Sequence, residues 1–370
     1  MKQNKIIIIS SEFPPLPGGI GNHAYCLAFE LYKNAKEVKV ITDVRADKED
    51  DDLVFDLDLP FEVKRISKLK IRIFIYLIRI YYALIEAFSS NRRTFILSGK
   101  FSIWIGGLMK LIRPEHKYIA VVHGSEINAG GKFAKKYTAW CLSKFTKIIA
   151  VSKFTKNLIL ENKTIEDIVV INNGFSSLNK NEFLLNRRKN TEKLNIITVG
   201  NVTFRKGQDN VISALPAIKK VFPNVQYHII GIPTEKTKFN ALANELGVKE
   251  NITFHGAITD IELKEIMIQA DVFFMLSNVL ENGDVEGFGI AVLEANAFGI
   301  PAIGSKNSGI ADAIKNKYSG QLVDPKNEIE IVDSLIEIMN NFEEYSNNAM
   351  IWSKQFSWEI VIKKYLEIID

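Results

Sequence analysis

The predicted architecture follows from the stretch Asp284-Val285-Glu286-Gly287-Phe288-Gly289-Ile290-Ala291-Val292-Leu293-Glu294-Ala295-Asn296-Ala297-Phe298-Gly299-Ile300-Pro301. The apolar run at 270–276, just before it, has the length and composition of a buried parallel strand. The following polar residues, up to Gly289, predict a loop. Helical periodicity begins at Ile290 and ends at Gly299, which Pro301 follows. Strand, loop and helix in this order indicate one unit of a parallel α/β sheet.

Two acids occupy different parts of this unit, Glu286 in the loop and Glu294 inside the helix. Gly287 and Gly289 leave the first helical amides uncovered, and such amides bind anions and hydroxyl groups. Helix rise separates two residues eight apart by about 12 Å, on faces that differ by roughly 80°. A carboxylate pair that cleaves a sugar bond lies closer, within about 5 to 10 Å. The spacing therefore predicts a two-point clamp on one long polar ligand.

The segment 284–303, with Glu286-x7-Glu294 and its glycines, resembles the E-x7-E signature of the retaining glycosyltransferases of the family-four type. The resemblance implies the GT-B fold, an α/β architecture of two Rossmann-like domains facing across a cleft that holds the active site. It also implies a nucleotide-diphosphate sugar as donor, with no metal and no other cofactor. In this family Glu286 would bind sugar hydroxyls and Glu294 the ribose. The amides of Gly287, Phe288 and Gly289 would bind the sugar or the β-phosphate.

Length and composition agree with two soluble domains. The chain has 370 residues, 47% of them hydrophobic, which is enough for two domains of ordinary size. A net charge of +4 argues against a general nucleic-acid binder. Cys26 and Cys141 are too few for a disulfide framework or a zinc site, which suits a reducing compartment. The apolar run at 6–9 is too short for a signal-peptide core. We expect a cytoplasmic location, at the inner face of the membrane if the acceptor is lipid-linked.

The N-terminal segment predicts a doubly wound sheet: a strand at 5–10, a loop at 11–21, a helix from Asn22 to about Lys33 and a strand at 38–42. Gly19-x-Gly21-x-x-Ala24 imitates the dinucleotide fingerprint, so an NAD-dependent Rossmann oxidoreductase remains an alternative. That fingerprint turns directly from strand to helix, whereas a proline-rich loop intervenes here. The family resemblance implies instead that Phe13-Pro14-Pro15 and Gly18-Gly19-Ile20 face the donor diphosphate and the acceptor.

An acidic segment at 47–60 contains Asp50, Asp51 and Asp52 in a row, and Asp56-Leu57-Asp58 copies a metal-binding DxD motif. Because no strand of buried type ends there, the segment predicts a solvated loop and no metal site.

The segment Lys64–Phe88 begins with basic residues and continues as an apolar, aromatic helix at 73–88. Arg72, Arg79 and Glu86 are seven apart and would share one stripe of that helix. The apolar span is too short to cross a membrane. Two alternatives stay open: a crossover helix packed on the sheet, or a helix lying in a membrane interface and attracted by anionic lipid. The second alternative extends to a non-catalytic membrane-surface protein.

A predicted strand at 117–122 ends in His123-Gly124-Ser125-Glu126, and the carboxyl ends of such strands are where open α/β sheets bind ligands. The HGSE turn matches the family, which implies that His123 contacts the transferred sugar. Asn173-Gly174 resembles the family's hinge pair. We therefore expect an acceptor-side domain at 1–177, with a final helix at 357–370 packing back on it, and a donor domain at 193–356.

The second domain should bind the nucleotide. After a strand at 195–199, the turn Gly200–Asp209 contains two cations and a glycine and leads into a helix, which suits a diphosphate. It resembles the family pattern G-R-L-x-x-x-K-G, in which Lys206 matches. Asn201 stands where arginine is usual, and Arg205 is the candidate to supply that charge.

The resemblance also implies a base site and a mechanism. Backbone groups near Phe254, Gly256 and Ala257 would bracket the base of a UDP- or GDP-linked sugar. His123, Glu286 and Lys206 are the candidate catalytic residues, in an electrostatic mechanism with an oxocarbenium-like transition state. The acceptor would be a glycan or a lipid-linked glycan of bacterial surface polysaccharide or glycolipid assembly.

Overall fold

The computed structural model describes residues 5–45, 49–128, 130–161, 165, 167–176 and 193–370. The chain divides into two compact units, and each is described here by itself. Unit 1 comprises Met1–Gly174 and Trp358–Asp370, and unit 2 comprises Phe175–Ser357. Most of the predicted linker, residues 177–192, lies outside the described residues.

Unit 1 contains a seven-stranded parallel sheet in the order β3-β2-β1-β4-β5-β6-β7. Its strands are β1 (Ile6–Ser10), β2 (Val38–Asp43), β3 (Glu62–Ile66), β4 (Thr94–Ser98), β5 (Lys117–Val122), β6 (Lys147–Ala150) and β7 (Ile168–Val170). Its first seven helices are α1 (Gly19–Lys33), α2 (Glu49–Leu57), α3 (Arg72–Ala87), α4 (Lys100–Ile112), α5 (Ser125–Asn128), α6 (Lys132–Leu142) and α7 (Lys153–Leu160).

Unit 2 contains a six-stranded parallel sheet in the order β10-β9-β8-β11-β12-β13. Its strands are β8 (Leu194–Val199), β9 (Val225–Ile230), β10 (Ile252–Gly256), β11 (Val272–Met275), β12 (Ala302–Ser305) and β13 (Gly320–Val323). Its helices are α8 (Gln208–Val221), α9 (Lys236–Glu245), α10 (Asp260–Gln269), α11 (Ile290–Ala297), α12 (Glu328–Asn340) and α13 (Phe342–Lys354). The last helix of the chain, α14 (Trp358–Ile369), belongs to unit 1.

The predicted fold class is confirmed, since both sheets are parallel and carry helices between successive strands. In unit 1, β1 lies inside the sheet, where Ile8 pairs with Val40 on one side and Ile96 on the other. All five residues of β1 are buried. A strand covered on both faces has no solvent-facing side, so its sequence is a continuous apolar run rather than an alternating one.

Helix α1 begins three residues earlier than predicted, at Gly19 instead of Asn22. Gly21 therefore lies inside the helix, where its hydrogen-only side chain faces the loop before it. A Cβ there would lie 3.0 Å from the backbone nitrogen of Phe13. The glycines of this segment thus serve close packing of helix on loop, which the periodicity pattern did not reveal.

The prediction of a solvated loop at 47–60 is wrong, because residues 49–57 form α2. Asp52 is fully buried, and its carboxylate accepts a hydrogen bond from Arg65 Nη1 at 2.9 Å. Asp56, one helical turn later, accepts from Arg65 Nε at 2.8 Å. Residues four apart share one helix face, so the two acids hold one buried guanidinium of β3. Arg65 in turn donates to the carbonyl oxygen of Pro14, which fixes the loop before α1.

Helix α3 connects β3 and β4 as a crossover helix, one of the two predicted alternatives. Arg79 and Glu86 lie on the same stripe, as predicted, but that stripe faces inward. Arg79 is 1% exposed and binds Asp43. Glu86 is 7% exposed and binds Lys39 at 2.9 Å. No helix among the described residues is both long and apolar enough to cross a membrane.

We expect the replacement Asp52→Asn to destabilise the protein by about 3 kcal/mol, because it removes one charge of a buried ion pair and leaves Arg65 with Asp56 alone. The matched control is Asp51→Asn at the exposed neighbouring position, which should change stability by less than about 0.5 kcal/mol. Urea unfolding monitored by circular dichroism measures both values. Equal midpoints for the two variants would contradict the structural role of Asp52.

Candidate functional site

The cationic side chains of Arg205 and Lys206 project from a tight turn that follows β8. Residues Phe204–Lys206 form a single 3-10 turn, and Asn278 at the end of β11 holds it in place. The Asn278 amide donates to the carbonyl of Arg205 at 3.0 Å, and its side chain donates to that of Phe204 at 2.7 Å. The predicted position of Arg205 and Lys206 at a strand-to-helix turn is therefore correct, with α8 starting at Gln208.

Gly207 makes this close approach possible. Its φ of 76° lies in the left-handed region, and a Cβ there would lie 1.8 Å from the carbonyl oxygen of Leu276. Any other residue would force the turn away from β11. Sequence reasoning used Gly207 only as part of a motif, whereas its physical role is to bring Lys206 to the end of β11.

The two cations converge on Glu286. Lys206 Nζ lies 2.9 Å from Glu286 Oε2, and Arg205 Nη1 binds the same oxygen. Arg205 Nε also lies 3.3 Å from Asp284 Oδ2. Burial raises the pKa of Glu286, but Lys206 and Arg205 more than offset this, and the net pKa is below the usual value. Glu286 is therefore ionised at neutral pH.

The segment that follows β12 fixes the backbone around Glu286. The Gly309 amide donates to the carbonyl oxygen of Glu286 at 3.0 Å, and a Cβ on Gly309 would lie 2.0 Å from the carbonyl oxygen of Gly287. Ser277 and Ser308 link the ends of β11 and β12 through their hydroxyl groups, 3.2 Å apart. These contacts fix the loop that precedes α11. The sequence predicts no role for Ser277, Ser308 or Gly309.

Helix α11 begins at Ile290, as predicted, with Gly289 in the left-handed region at φ 88°. Gly287 and Gly289 both precede its free amides. Phe288 between them is 2% exposed and packs against Phe356, with ring centroids 5.9 Å apart. The side chain of Phe288 therefore belongs to the core of unit 2, and this residue offers a ligand only its backbone.

Glu294 lies on α11 with no hydrogen bond and no ion pair to any residue that the structure describes. Burial raises its pKa, and the nearby charge of Lys206 lowers it only in part. Lys206 lowers the pKa of both acids of the E-x7-E pair, but the net pKa falls for Glu286 and rises for Glu294. Glu286 is strongly paired and ionised, whereas Glu294 has unused hydrogen-bonding capacity.

The other predicted donor residues lie at the carboxyl ends of β8 and β10. Asn201 is exposed, and its carbonyl oxygen accepts from Gln208 Nε2 at 3.1 Å. Phe254 packs on the core of unit 2, and Gly256 accepts a hydrogen bond from the Gly231 amide at 2.9 Å. Ala257 is exposed just beyond it. Their assignment to a nucleotide remains a prediction.

In unit 1, His123 stands at the end of β5 and is 9% exposed. Its Nε2 hydrogen-bonds the Ser98 hydroxyl at 2.9 Å, and its ring lies edge-on to His23, with centroids 5.1 Å apart. Burial lowers the pKa of His123 to about 4. The imidazole is therefore neutral at physiological pH and can donate or accept a hydrogen bond without carrying charge. Its predicted contact with a sugar stays a prediction.

Glu126 has no role in the sequence analysis beyond its place in the HGSE turn. It is 3% exposed, and one carboxylate oxygen accepts from the His123 amide at 3.0 Å. The other oxygen has no partner among the described residues. Burial raises the pKa of Glu126 to about 7, although backbone amides lower it in part. Glu126 therefore fixes the backbone that positions His123.

The predicted glycines of the first loop lie beside this region of unit 1. Gly18 precedes α1, and a Cβ there would lie 2.4 Å from the carboxylate of Glu12. A Cβ on Gly19 would meet no atom within 4 Å, so this residue faces open space. Phe13 is fully buried and packs against Tyr25, with centroids 5.9 Å apart. Phe13 is thus an anchor of the loop rather than a ligand contact.

Within the described residues, no group of three or more histidine, cysteine, aspartate or glutamate side chains could hold a metal ion. Asp56, of the DxD-like sequence, is instead a partner of Arg65.

We expect the stability of the protein to depend on the protonation of Glu126. The pKa of this carboxyl is about 7 in the folded state, against a reference value of 4.5. The stabilising contribution of its protonated form is therefore complete below about pH 4.5 and is lost as the pH rises through about 7. The variant Glu126→Gln lacks this loss, so its unfolding free energy relative to wild type should rise by up to about 3 kcal/mol across that range.

Urea unfolding at a series of pH values measures this difference. The exposed carboxyl of Glu367, on α14 of the same unit, provides the matched control Glu367→Gln. A constant difference between Glu126→Gln and wild type at all pH values would show that Glu126 does not titrate in this range.

Comparison with known proteins gives consistent results for both halves of the chain. The family model for glycosyl transferases group 1 matches residues 179–351, and that for glycosyltransferase family 4 matches residues 17–177. An uncharacterized glycosyltransferase of Methanocaldococcus jannaschii is 27% identical, over 98% of this chain and 97% of the relative. The GDP-mannose-dependent alpha-(1-6)-phosphatidylinositol monomannoside mannosyltransferase of Mycobacterium tuberculosis is 31% identical over 40% of this chain and 39% of its own.

Among solved structures, Anabaena HepE in complex with UDP and glucose superimposes with a TM-score of 0.76, at 16% identity and over 99% of both chains. At this identity the likeness concerns the fold. The two family matches together extend over most of the sequence, from residue 17 to residue 351. The chain belongs to the glycosyltransferases of the family-four type, with the GT-B fold.

Proposed function

We propose that this glycosyltransferase is a retaining, metal-independent hexosyltransferase that uses a nucleotide-diphosphate sugar as donor. The observation that carries the proposal is the convergence of Lys206 and Arg205 on Glu286. Lys206 also acts on the charge of Glu294, which has no hydrogen-bond partner among the described residues. Two cations and the free amides of a helix start suit a diphosphate. Glu294, at the far end of the E-x7-E spacing, suits the two hydroxyl groups of a ribose.

In the absence of donor, the Glu286 carboxylate occupies the position that a phosphate oxygen would take. A diphosphate carries more negative charge than one carboxylate, so it competes successfully for Lys206 and Arg205. Glu286, displaced from the cations, becomes available to the hydroxyl groups of the sugar. Donor binding is therefore an exchange of anions, in which Glu286 gives up its ion pairs and accepts hydrogen bonds from the sugar instead.

The chemical step follows from the same charges. The bond between the sugar C1 and the diphosphate oxygen breaks while a bond from the acceptor oxygen to C1 forms on the same face. Negative charge grows on the leaving diphosphate, and Lys206 and Arg205 stabilise it there. The diphosphate takes the proton of the acceptor hydroxyl. Asn201 brings no charge where the family usually has arginine, and Arg205 takes over that role.

The donor is UDP- or GDP-linked, and the acceptor is a glycan or a lipid-linked glycan. Support comes from relatives: the HepE structure holds UDP and glucose, and the mycobacterial relative is described as using GDP-mannose and a phosphatidylinositol mannoside. An NAD-dependent oxidoreductase has no support from either family match. Assembly of surface polysaccharide or glycolipid at the cytoplasmic face of the membrane remains part of the proposal.

We expect Glu286→Gln to bind inorganic pyrophosphate about five- to tenfold more tightly than wild type, because the variant no longer competes for the two cations. The same variant should lose about a hundredfold in kcat with the donor sugar. Isothermal titration calorimetry with pyrophosphate measures the first effect. Lys206→Gln is the opposing control, and its pyrophosphate affinity should fall. Weaker pyrophosphate binding by Glu286→Gln would contradict the anion exchange.

We expect Glu294→Ala to lower the affinity for UDP or GDP by about tenfold or more, since hydrogen bonds to a charged group contribute about 1.5 to 3 kcal/mol each. Pyrophosphate, which lacks a ribose, should bind this variant as it binds wild type. The exposed Glu245 on α9 gives the control Glu245→Ala. Unchanged nucleotide affinity in Glu294→Ala refutes the ribose assignment. Thermal stabilisation by NAD, with none by UDP or GDP, would favour the oxidoreductase instead.

A further inference from the structure

Helix α3 of unit 1 exposes its apolar side to solvent. Its outward residues recur at three- and four-residue steps and are between about 40% and 60% exposed: Ile73, Phe74, Tyr76, Leu77, Tyr81 and Ile85, with Phe88 just beyond the helix. The opposite side packs on the core of unit 1 through Ala83 and Ala87 and through partly buried large residues: Ile75, Ile78, Ile80, Tyr82 and Leu84. An ordinary surface helix carries polar residues on its outer side, whereas α3 is apolar on that side as well.

Ion pairs on the inner face hold the helix in this orientation. Arg79 binds the carboxylate of Asp43 on β2, and Glu86 binds Lys39 on the same strand and Arg93. Turning the apolar stripe inward would expose or break these nearly buried pairs. The outward direction of the apolar residues is therefore fixed by the structure of unit 1 and is not a local accident of side-chain placement.

Two neighbouring helices extend the same surface. Helix α4 packs against both α3 and α6. Its exposed apolar residues are Leu108, Leu111 and Ile112, and the half-buried Phe101 and Trp104 precede them at three- and four-residue steps. Helix α6 adds Phe133, Tyr137 and Trp140. We call these three outward sides the α3–α4–α6 face.

Aromatic rings connect the three helices without a break. The rings of Tyr76 on α3 and Phe101 on α4 have centroids 4.1 Å apart. Phe101 contacts Trp104 at 6.4 Å, and Trp104 contacts Tyr137 on α6 at 5.2 Å. Tyr137 stacks on Trp140 at 5.6 Å. The exposed apolar residues therefore form one continuous patch, of a kind that soluble monomers rarely expose.

The charge of this surface has one sign. Glu86, which is turned inward, is the only acidic residue from Ser67 to Pro114, and there is none from Ile127 to Leu160. Basic side chains lie directly on the patch. The ammonium of Lys100 lies 5.7 Å from the ring centroid of Trp104, and that of Lys144 lies 5.5 Å from Trp140. Lys132, Lys135 and Lys136 are exposed on α6.

We propose that the α3–α4–α6 face docks on an anionic phospholipid bilayer, with its aromatic and aliphatic side chains in the headgroup and acyl boundary and its lysines on lipid phosphates. Helices that lie flat in a membrane interface combine an apolar stripe with lysine-rich edges. Lysines beside exposed rings can keep their stems on apolar surface while the ammonium reaches an anionic headgroup. Protein interfaces, in contrast, are depleted of lysine.

The test compares sedimentation of the full chain with vesicles of phosphatidylcholine and phosphatidylglycerol against vesicles of phosphatidylcholine alone. Wild type should bind the anionic vesicles, and binding should weaken with added salt. Leu77→Glu combined with Leu108→Glu should weaken it by about tenfold or more, because two exposed apolar side chains no longer enter the interface. Lys135→Gln combined with Lys136→Gln should weaken it by about tenfold as well.

The matched control is Ile351→Glu on α13 of unit 2, where Ile351 is 50% exposed, close to the 53% of Leu77. It should bind vesicles as wild type does. Equal binding by Ile351→Glu and the Leu77→Glu, Leu108→Glu variant, or equal binding to neutral and anionic vesicles, overturns the proposal. A concentration-dependent dimer that the Leu77→Glu, Leu108→Glu variant abolishes, without vesicle binding, assigns the face to a second copy and also overturns it. Because the assay requires no turnover, the donor-site proposal is tested separately.

Discussion

The ion cluster of Glu286 with Lys206 and Arg205 is the constraint on which the candidate donor site depends. The two cations are adjacent in one turn, whereas Glu286 lies 81 residues further along the chain from Arg205. The cluster forms because two glycines let backbones approach where any other residue would clash. Gly207 admits the cationic turn against Leu276, and Gly309 admits the β12 loop against Gly287. The small size of two uncharged glycines therefore determines where the charged side chains meet.

A single lysine gives the two acids of the E-x7-E pair different properties. Lys206 contacts Glu286 directly and keeps it ionised, whereas Glu294 experiences the same charge at longer range and its pKa rises through burial. Glu286 thus stays paired with cations until another anion replaces it. Glu294 can exchange hydrogen bonds with the hydroxyl groups of a ligand. The division of roles needs no difference in residue type, only a difference in distance from Lys206.

Sequence reasoning located the elements whose signals are local and missed those that depend on distant partners. The start of α11 at Ile290 was predictable, because glycines end the loop and periodicity begins there. Helix α2 was missed because its acidic run suggested solvation, and only Arg65 on β3 explains why Asp52 is buried. For α3, the 3.6-residue period showed which residues share a face but not which way that face points. The ion pairs of Glu286 with Lys206 and Arg205 could not be predicted either. The family pattern assigns all three side chains to the ligand and none of them to each other.

Exposure of the guanidinium distinguishes the Arg79–Asp43 pair of unit 1 from the Arg205–Glu286 pair of unit 2. The Arg79 guanidinium is 1% exposed, so an anion from solvent cannot reach it, although its partner Asp43 is 21% exposed; breaking the pair would leave the cation in an apolar environment. Arg205 is 25% exposed, and its partner Glu286 is 11% exposed. An anion that arrives from solvent can reach Arg205 and replace Glu286 without leaving the cation unpaired. A permanent pair fixes the orientation of a helix, whereas a partly accessible pair can exchange its anion. The accessibility of Arg205, rather than the strength of its ion pair, therefore supports the turn that carries it as a candidate binding site.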